Sequence, residues 1–385
     1  MPDMTSLDNF KKTCKKHLVI EDMSYIDVVF GTIFANRLDS KPVWLYLVGA
    51  PSSGKTEILQ SIKTDEVIQV GRIGQYSLIS FYQPKDDKGN IVKDDDRSLL
   101  LKLNGRTMII KDFTAMINDR RETLMAVAGQ LRDAYDGYTS RSTGIDHKSY
   151  TSKFGIIAAV TNIIDRHRGI LAELGERFLT YRCPDISNEE VNMRCWKVSD
   201  RSDVTQKETE IRLAAEAVLK QKCHKVVLSD SFRNRVIETA QYVASARCEI
   251  TRDRNTKEAE IPTPEIATRL TRQLCDLALG IAMVKGHRHI DTHTEKAVHK
   301  TALDCLTLKR IRLLKILYDN FPAYLSSNAI GEQMRYSESA IRRWLDDLHL
   351  LDLVERKITP TLDPLIRNKV EWRICYRSVL RRIWG

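Results

Sequence analysis

The chain has 385 residues, 42% of them hydrophobic and 29% charged, with a formal net charge of +10. That length suits two or three domains with their own cores; no apolar run reaches the ~18 residues of a membrane span, and residues 1–16 are polar and lysine-bearing without an apolar signal core, so a cytoplasmic protein with no membrane segment is expected. Eight scattered cysteines with no C-x-x-C pair suggest neither a disulfide framework nor a zinc ribbon.

A helical extension over residues 1–40 is expected to precede the first core strand, Val43, Trp44, Leu45, Tyr46, Leu47 and Val48. Gly49, Ala50, Pro51, Ser52, Ser53, Gly54, Lys55 and Thr56 follow, and a helix-compatible segment begins at Glu57. Strand, glycine-bearing loop and helix in that order are the context a phosphate loop requires: backbone N–H groups turn toward phosphate oxygens, Lys55 reaches the β- and γ-phosphates, and the Thr56 hydroxyl holds Mg²⁺. ATP and Mg²⁺ are the cofactors this implies. The polar stretch 85–97 reads as a solvated excursion between strands.

Thr107, Met108, Ile109 and Ile110 form a second buried strand, ending in Lys111, Asp112 and Phe113. An acid at its carboxyl end belongs beside the phosphate loop, on the metal or on the attacking water; spacing leaves open which role Asp112 takes, and Lys111 stands where ATPases commonly carry a second acid. Between this strand and the next, residues 135–150 read as a hairpin turning at Gly144, Ile145 and Asp146. Arg141, Lys148 and Lys153 are its phosphate-contacting candidates and Tyr138 and Tyr150 stack or pack; a plain surface hairpin is the alternative. A third strand over 154–160 ends in Thr161 and Asn162, whose amide is placed to orient water or touch the γ-phosphate. Arg177, before a further apolar strand, is either a finger reaching into a neighbouring subunit's site or the partner of Glu173 or Glu176.

Amphipathic helices are predicted over 206–220, 230–246 and 265–285, the last closed by Gly286. His287, His289, His293 and His299 lack a further ligand in register and read as solvent-facing imidazoles. The final segment, 306–385, holds fifteen Lys and Arg against nine Asp and Glu, which makes it the favoured contact for a polyanion. Helices over 306–318, 327–334 and 338–353, the last capped by Ser337, precede a β-wing over 354–376, the pattern of a winged helix. Its third helix would aim Ser339, Arg342 and Arg343 at DNA, the wing would bring Lys357, Arg367 and Lys369 near phosphates, and Trp344 and Leu348 would face the core; the alternative use is protein contact.

Taken in order, the phosphate loop 49–56, the strand end 109–114, Val160-Thr161-Asn162, Gly175-Glu176-Arg177-Phe178 and residues 263–270 resemble the AAA+ ATPases, more narrowly the MCM-like, helix-2-insert branch of mobile genetic elements. The resemblance implies an α/β fold: an AAA+ P-loop αβα core (41–200) with a helical lid subdomain (201–303), followed by the C-terminal winged helix-turn-helix domain (304–385). It also implies a homo-oligomeric ring, often a hexamer, with nucleotide at subunit junctions and a second sensor arginine at Arg269, or Arg272 in the same helix. The expected activity is an ATP-hydrolysing DNA motor, a replicative helicase; an ATP-dependent switch assembled on DNA, or a regulator with a degenerate nucleotide site, remain the alternatives. With about forty residues ahead of the first core strand, a companion protein is expected to supply loading or melting.

Overall fold

The computed structural model describes residues 5–20, 22–51, 53–82, 97–142, 147–167, 177–199, 204–253, 259–260, 263–360 and 368–385. The chain divides into two compact units, residues 1–229 with 273–297, and residues 230–272 with 298–385. The division falls between residues 229 and 230 and inside the helices Thr268–Val284 and Thr292–Asp304.

The first unit is built on a five-stranded parallel sheet of β1 (Trp44–Val48), β2 (Val67–Val70), β3 (Thr107–Ile110), β6 (Gly155–Val160) and β7 (Phe178–Arg182), in the order β2-β3-β6-β1-β7. β1, β3, β6 and β7 are buried at every position, which is why the first three are unbroken apolar or β-branched runs instead of alternating ones, and the Arg182 that ends β7 is buried on Asp165 at 2.7 Å. Trp44 anchors the core between Tyr135, Phe154 and Phe178 and donates its indole N–H to the Phe154 carbonyl at 2.8 Å. In this order the strand that leads to Asp112 is next but one to the strand that leads to the loop 49–56. β6 lies between them, paired with β1 from Trp44↔Ile156 to Val48↔Val160 and with β3 from Thr107↔Gly155 to Ile110↔Ala158. Two strand spacings, about 10 Å, therefore separate β1 from β3.

The described residues among 1–40, expected as an N-terminal helical extension, are largely helical and belong to this unit. Thr5 and Asp8 form a reciprocal capping box on the helix Ser6–His17. The following helix, Ser24–Ala35, is buried along nearly its whole length and packs on β1 and β6. It also meets the helix Thr268–Val284, where Gly31 and Gly280 let the two backbones touch: a Cβ on Gly280 would lie 2.7 Å from the Ala35 amide nitrogen and closer still to the Gly31 carbonyl oxygen.

The hairpin exists but starts later than its sequence suggests. Tyr135 and Asp136 end the helix Arg121–Asp136, which Gly137 terminates at φ +99°. β4 (Tyr138–Ser142) then pairs antiparallel with β5 (His147–Thr151), placing Arg141 opposite Lys148; the proposed turn residues 144–146 lie outside the described residues.

The second unit contains the helices Asp230–Ala246, Leu308–Asp319, Ser327–Met334, Glu338–Leu350 and Arg377–Trp384, and a small β8–β9 pair (Thr251–Arg252 with Ala259–Glu260). Thr307, Ser326 and Ser337 each accept a backbone N–H three residues on and so fix three of the helix starts. Glu338–Leu350 stops short of the expected 353 because the chain turns through Asp352 at φ 57°. An antiparallel sheet, β10 (Leu325–Ser326), β12 (Lys369–Ile374) and β11 (Val354–Thr359) in that order, closes on the helices, and Trp372 is fully buried with its indole N–H on Ser327 Oγ at 3.1 Å. Leu348 faces this core as expected. Trp344 does so only partly: it is half-buried, edge-on to Tyr336, with the Lys309 ammonium 5.1 Å from its ring centre.

Candidate nucleotide site and basic surfaces

The phosphate loop leaves the sheet where both neighbours of β1 end. Gly49 N–H donates to the Val160 carbonyl at 3.1 Å, and Cys183 N–H donates to the Val48 carbonyl at 2.7 Å. Gly54 sits at φ +83°, a backbone that L side chains rarely adopt, and starts the helix Lys55–Ser61. Lys55 is only 6% exposed; its ammonium donates to the Ala50 carbonyl and to Ser53 Oγ, both at 2.7 Å. Burial pulls its pKa below the ordinary lysine value, and the nearby Arg194 charge acts in the same direction. A Cβ on Gly49 would stand 3.2 Å from that ammonium and 3.1 Å from Cys183 Cβ, so the cradle accepts no side chain there without displacement. Thr56 is exposed, and Ser52 lies outside the described residues.

Asp112 and Asn162 reach the same carboxyl edge of the sheet from β3 and β6. Thr114 ties these strand ends together, its Oγ1 accepting the Thr161 N–H at 3.1 Å. Asp112 is exposed and accepts the Ala115 N–H at 3.2 Å, capping the short helix Phe113–Ile117. Asn162 is exposed at the start of a 3₁₀ turn. Among the described residues no three His, Cys, Asp or Glu side chains converge on a cation site. The donor set Thr56 and Asp112 suits Mg²⁺ of the kind that takes one or two protein oxygens and completes its shell with phosphate and water.

Beside the loop opens a cavity of about 560 Å³, lined by His17, Leu18, Val19, Ile20, Gly54, Glu57, Arg194, Cys195, Lys197 and Lys207. Sequence reasoning gave none of these a role in a site except the loop glycine. The Leu-Val-Ile run between the first two helices was the available signal, since an apolar triplet in a linker needs something to cover. The wall is clamped by polar contacts: Lys197 donates to the Lys16 carbonyl at 2.8 Å, and Lys16 and His17 both meet Glu210 at 2.6 Å, which lowers the pKa of that half-buried carboxyl to about 2.

Two arginines assigned catalytic roles are engaged elsewhere. Arg177 is 7% exposed, bonds Asp136 at 2.8 Å and lies over the Tyr135 ring, so its guanidinium is held within its own subunit; Glu173 and Glu176 lie outside the described residues. Arg269 belongs to the second unit, where it pairs with Glu265 at 3.0 Å; Arg247 pairs with the same carboxylate at 2.9 Å.

The hairpin cations are likewise committed. Arg141 donates to the Gln75 carbonyl and stacks 4.4 Å from Tyr76; Lys148 donates to the Ser80 carbonyl, and Lys153 to that of Leu38. Tyr150 bonds Ser98 through its hydroxyl, while Tyr138 remains 56% exposed. On the helix Glu338–Leu350 the arrangement differs: Ser339, Arg342 and Arg343 are all exposed, whereas the acids of its second half, Asp346 and Asp347, are paired with Arg356 and Arg252. The exposed charge of that helix is thus concentrated in its first turns. Lys357 and Lys369 are exposed on β11 and β12, Lys369 paired with Glu371; Arg367 lies outside the described residues. His299, expected in solvent, is fully buried on Thr239 Oγ1 at 3.0 Å.

A scan against protein-family models found no match, and a search of curated proteins found none.

Proposed function

We propose that the chain is an Mg²⁺-dependent ATPase of the AAA+ type that binds DNA through a C-terminal winged helix and works as an oligomeric, MCM-like motor. The observation that carries this reading is Lys55, a lysine buried inside a glycine loop at the end of β1, with Asp112 and Asn162 at the same sheet edge. Bound there, ATP and Mg²⁺ would supply the reacting phosphoanhydride and the charge that offsets its oxygens. Loop amides and Lys55 would hold phosphate, and Thr56, with Asp112 across the edge, would hold the metal. Asn162, two residues past the end of the strand between, is assigned the attacking water. Arg177 and Arg269 would join only after leaving Asp136 and Glu265.

The trihelical end with its antiparallel wing supports DNA binding, and the exposed basic face supports contact through the first turns of the third helix. Arg342→Ala and Arg343→Ala are each expected to weaken duplex binding about tenfold and to lower the salt slope by about one. Fluorescence anisotropy across a salt series checks this, and an unchanged slope would count against that face. One observation favours a second reading, a DNA-bound ATP switch: Arg141, Lys148 and Lys153 are tied to carbonyls of their own unit instead of facing outward. Turnover with and without single- and double-stranded DNA, beside unwinding of a forked duplex, separates the two. Unwinding that requires Lys55 identifies the motor; DNA-stimulated turnover without unwinding identifies the switch, and no turnover under any condition refutes both.

A further inference from the structure

The helix Asn188–Ser199 follows β7, the strand that flanks the phosphate-loop strand, and carries Arg194 into the cavity beside Gly54. Its Nη2 is anchored one helical turn back on Glu190 at 2.5 Å, and its Nη1 stands 3.9 Å from where a Cβ of Gly54 would be. Lys55 and Arg194 thus meet at one glycine, the lysine next to it in the chain and the guanidinium on the side where its Cβ would stand. The lysine turns inward to Ala50 and Ser53, toward the part of the loop that holds the β- and γ-phosphates, while the arginine stands where the loop opens into the cavity. Two cations this close repel each other, and a polyphosphate threaded between them relieves that repulsion.

We propose that Arg194 is a nucleotide-binding residue supplied by the same subunit as the phosphate loop, gripping the α-phosphate and ribose where the nucleoside leaves the loop for the cavity. The assignment rests on the nucleotide reading above and adds to it which end of the ligand this guanidinium holds. A planar fork is suited to the task, because its parallel N–H donors match the spacing of phosphate and sugar oxygens. The Glu190 anchor also fixes the fork before ligand arrives.

The test is titration calorimetry of the full chain with Mg²⁺ and, separately, ATP, ADP and inorganic tripolyphosphate. Arg194→Ala is expected to weaken ATP and ADP alike by about tenfold to a hundredfold, the worth of charge-assisted hydrogen bonds, and tripolyphosphate by clearly less, since that ligand reaches the α-phosphate position but has no ribose. Arg194→Lys, which keeps the positive charge near Glu190 and so guards against simple misfolding, is expected to fall between, since an ammonium cannot present two parallel donors. Unchanged ADP affinity in Arg194→Ala overturns the proposal. So does an equal loss for tripolyphosphate, which would mean that Arg194 supports the loop and not the nucleoside end. If the unaltered chain binds neither ADP nor tripolyphosphate, the nucleotide reading itself falls and takes this proposal with it.

Discussion

Lys55→Ala is expected to abolish ATP turnover, lowering it by at least about a hundredfold, while leaving the protein folded. Burial is the cause. A lysine that is 6% exposed and depressed in pKa by desolvation is a destabilising presence unless its charge serves a ligand, and its two hydrogen bonds go to the loop itself, not to the surrounding core. Removing it should therefore leave the melting temperature within a few degrees of the original while the γ-phosphate loses its main positive partner. Lys55→Arg is expected to fail as well, because a planar guanidinium is a longer, flat fork in place of the compact ammonium that meets the Ala50 carbonyl and Ser53 Oγ together at 2.7 Å. A steady-state phosphate-release assay beside a thermal melt decides the matter: turnover retained in a folded Lys55→Ala protein would remove the site.

Gly280→Val is the expected largest effect on folding. The new side chain would have to enter the space held by the Gly31 carbonyl and the Ala35 amide, both of them backbone and both on a helix buried along nearly its whole length. Neither neighbour can swing aside as a side chain would, so the two helices must separate; overpacking of that kind costs about 3 kcal/mol or more, a large share of the stability of an ordinary domain. Gly31→Ala collides chiefly with the Ile281 side chain, which can rotate, and with Ile281 backbone at 3.0 Å, so a smaller loss is expected. Gly129, inside the helix Arg121–Asp136, has open space where a Cβ would go, with nothing within 4 Å, and Gly129→Ala should stabilise by about 0.5–1 kcal/mol through helix propensity alone. Denaturant melts of the three variants should rank in that order, and Gly280→Val melting like the unaltered chain would mean that the close helix crossing is wrong.

What the sequence discloses here is what depends on neighbours in the chain. The phosphate loop is contiguous, the buried strands are unbroken apolar runs, and Ser337 announces the third helix of the C-terminal segment by its capping chemistry. Sheet order was hidden because no local signal says that Gly155–Val160 inserts between Trp44–Val48 and Thr107–Ile110; that follows from how crossovers return, not from any residue. Arg194 was hidden for the same reason: it lies 139 positions beyond Lys55 and becomes its neighbour only through the β7 pairing. The hairpin cations show the converse. Their basic character is plain in the sequence, but the carbonyls of Gln75, Ser80 and Leu38 that occupy them are distant in the chain, and an unpaired lysine on paper proves to be a satisfied one.

The placement of the first thirty-five residues bears on how this protein can be taken apart. Helix Ser24–Ala35 fills the flank of the sheet and the Leu18-Val19-Ile20 link forms one wall of the cavity, so neither is an appendage to an independent phosphate-loop module. A fragment trimmed to the conventional motif boundaries would expose the apolar faces of β1 and β6 and lose a side of the cavity next to its own loop. Chimeras that exchange this module between related chains should accordingly carry the opening helices along with the phosphate loop, and treat the two as one inherited piece.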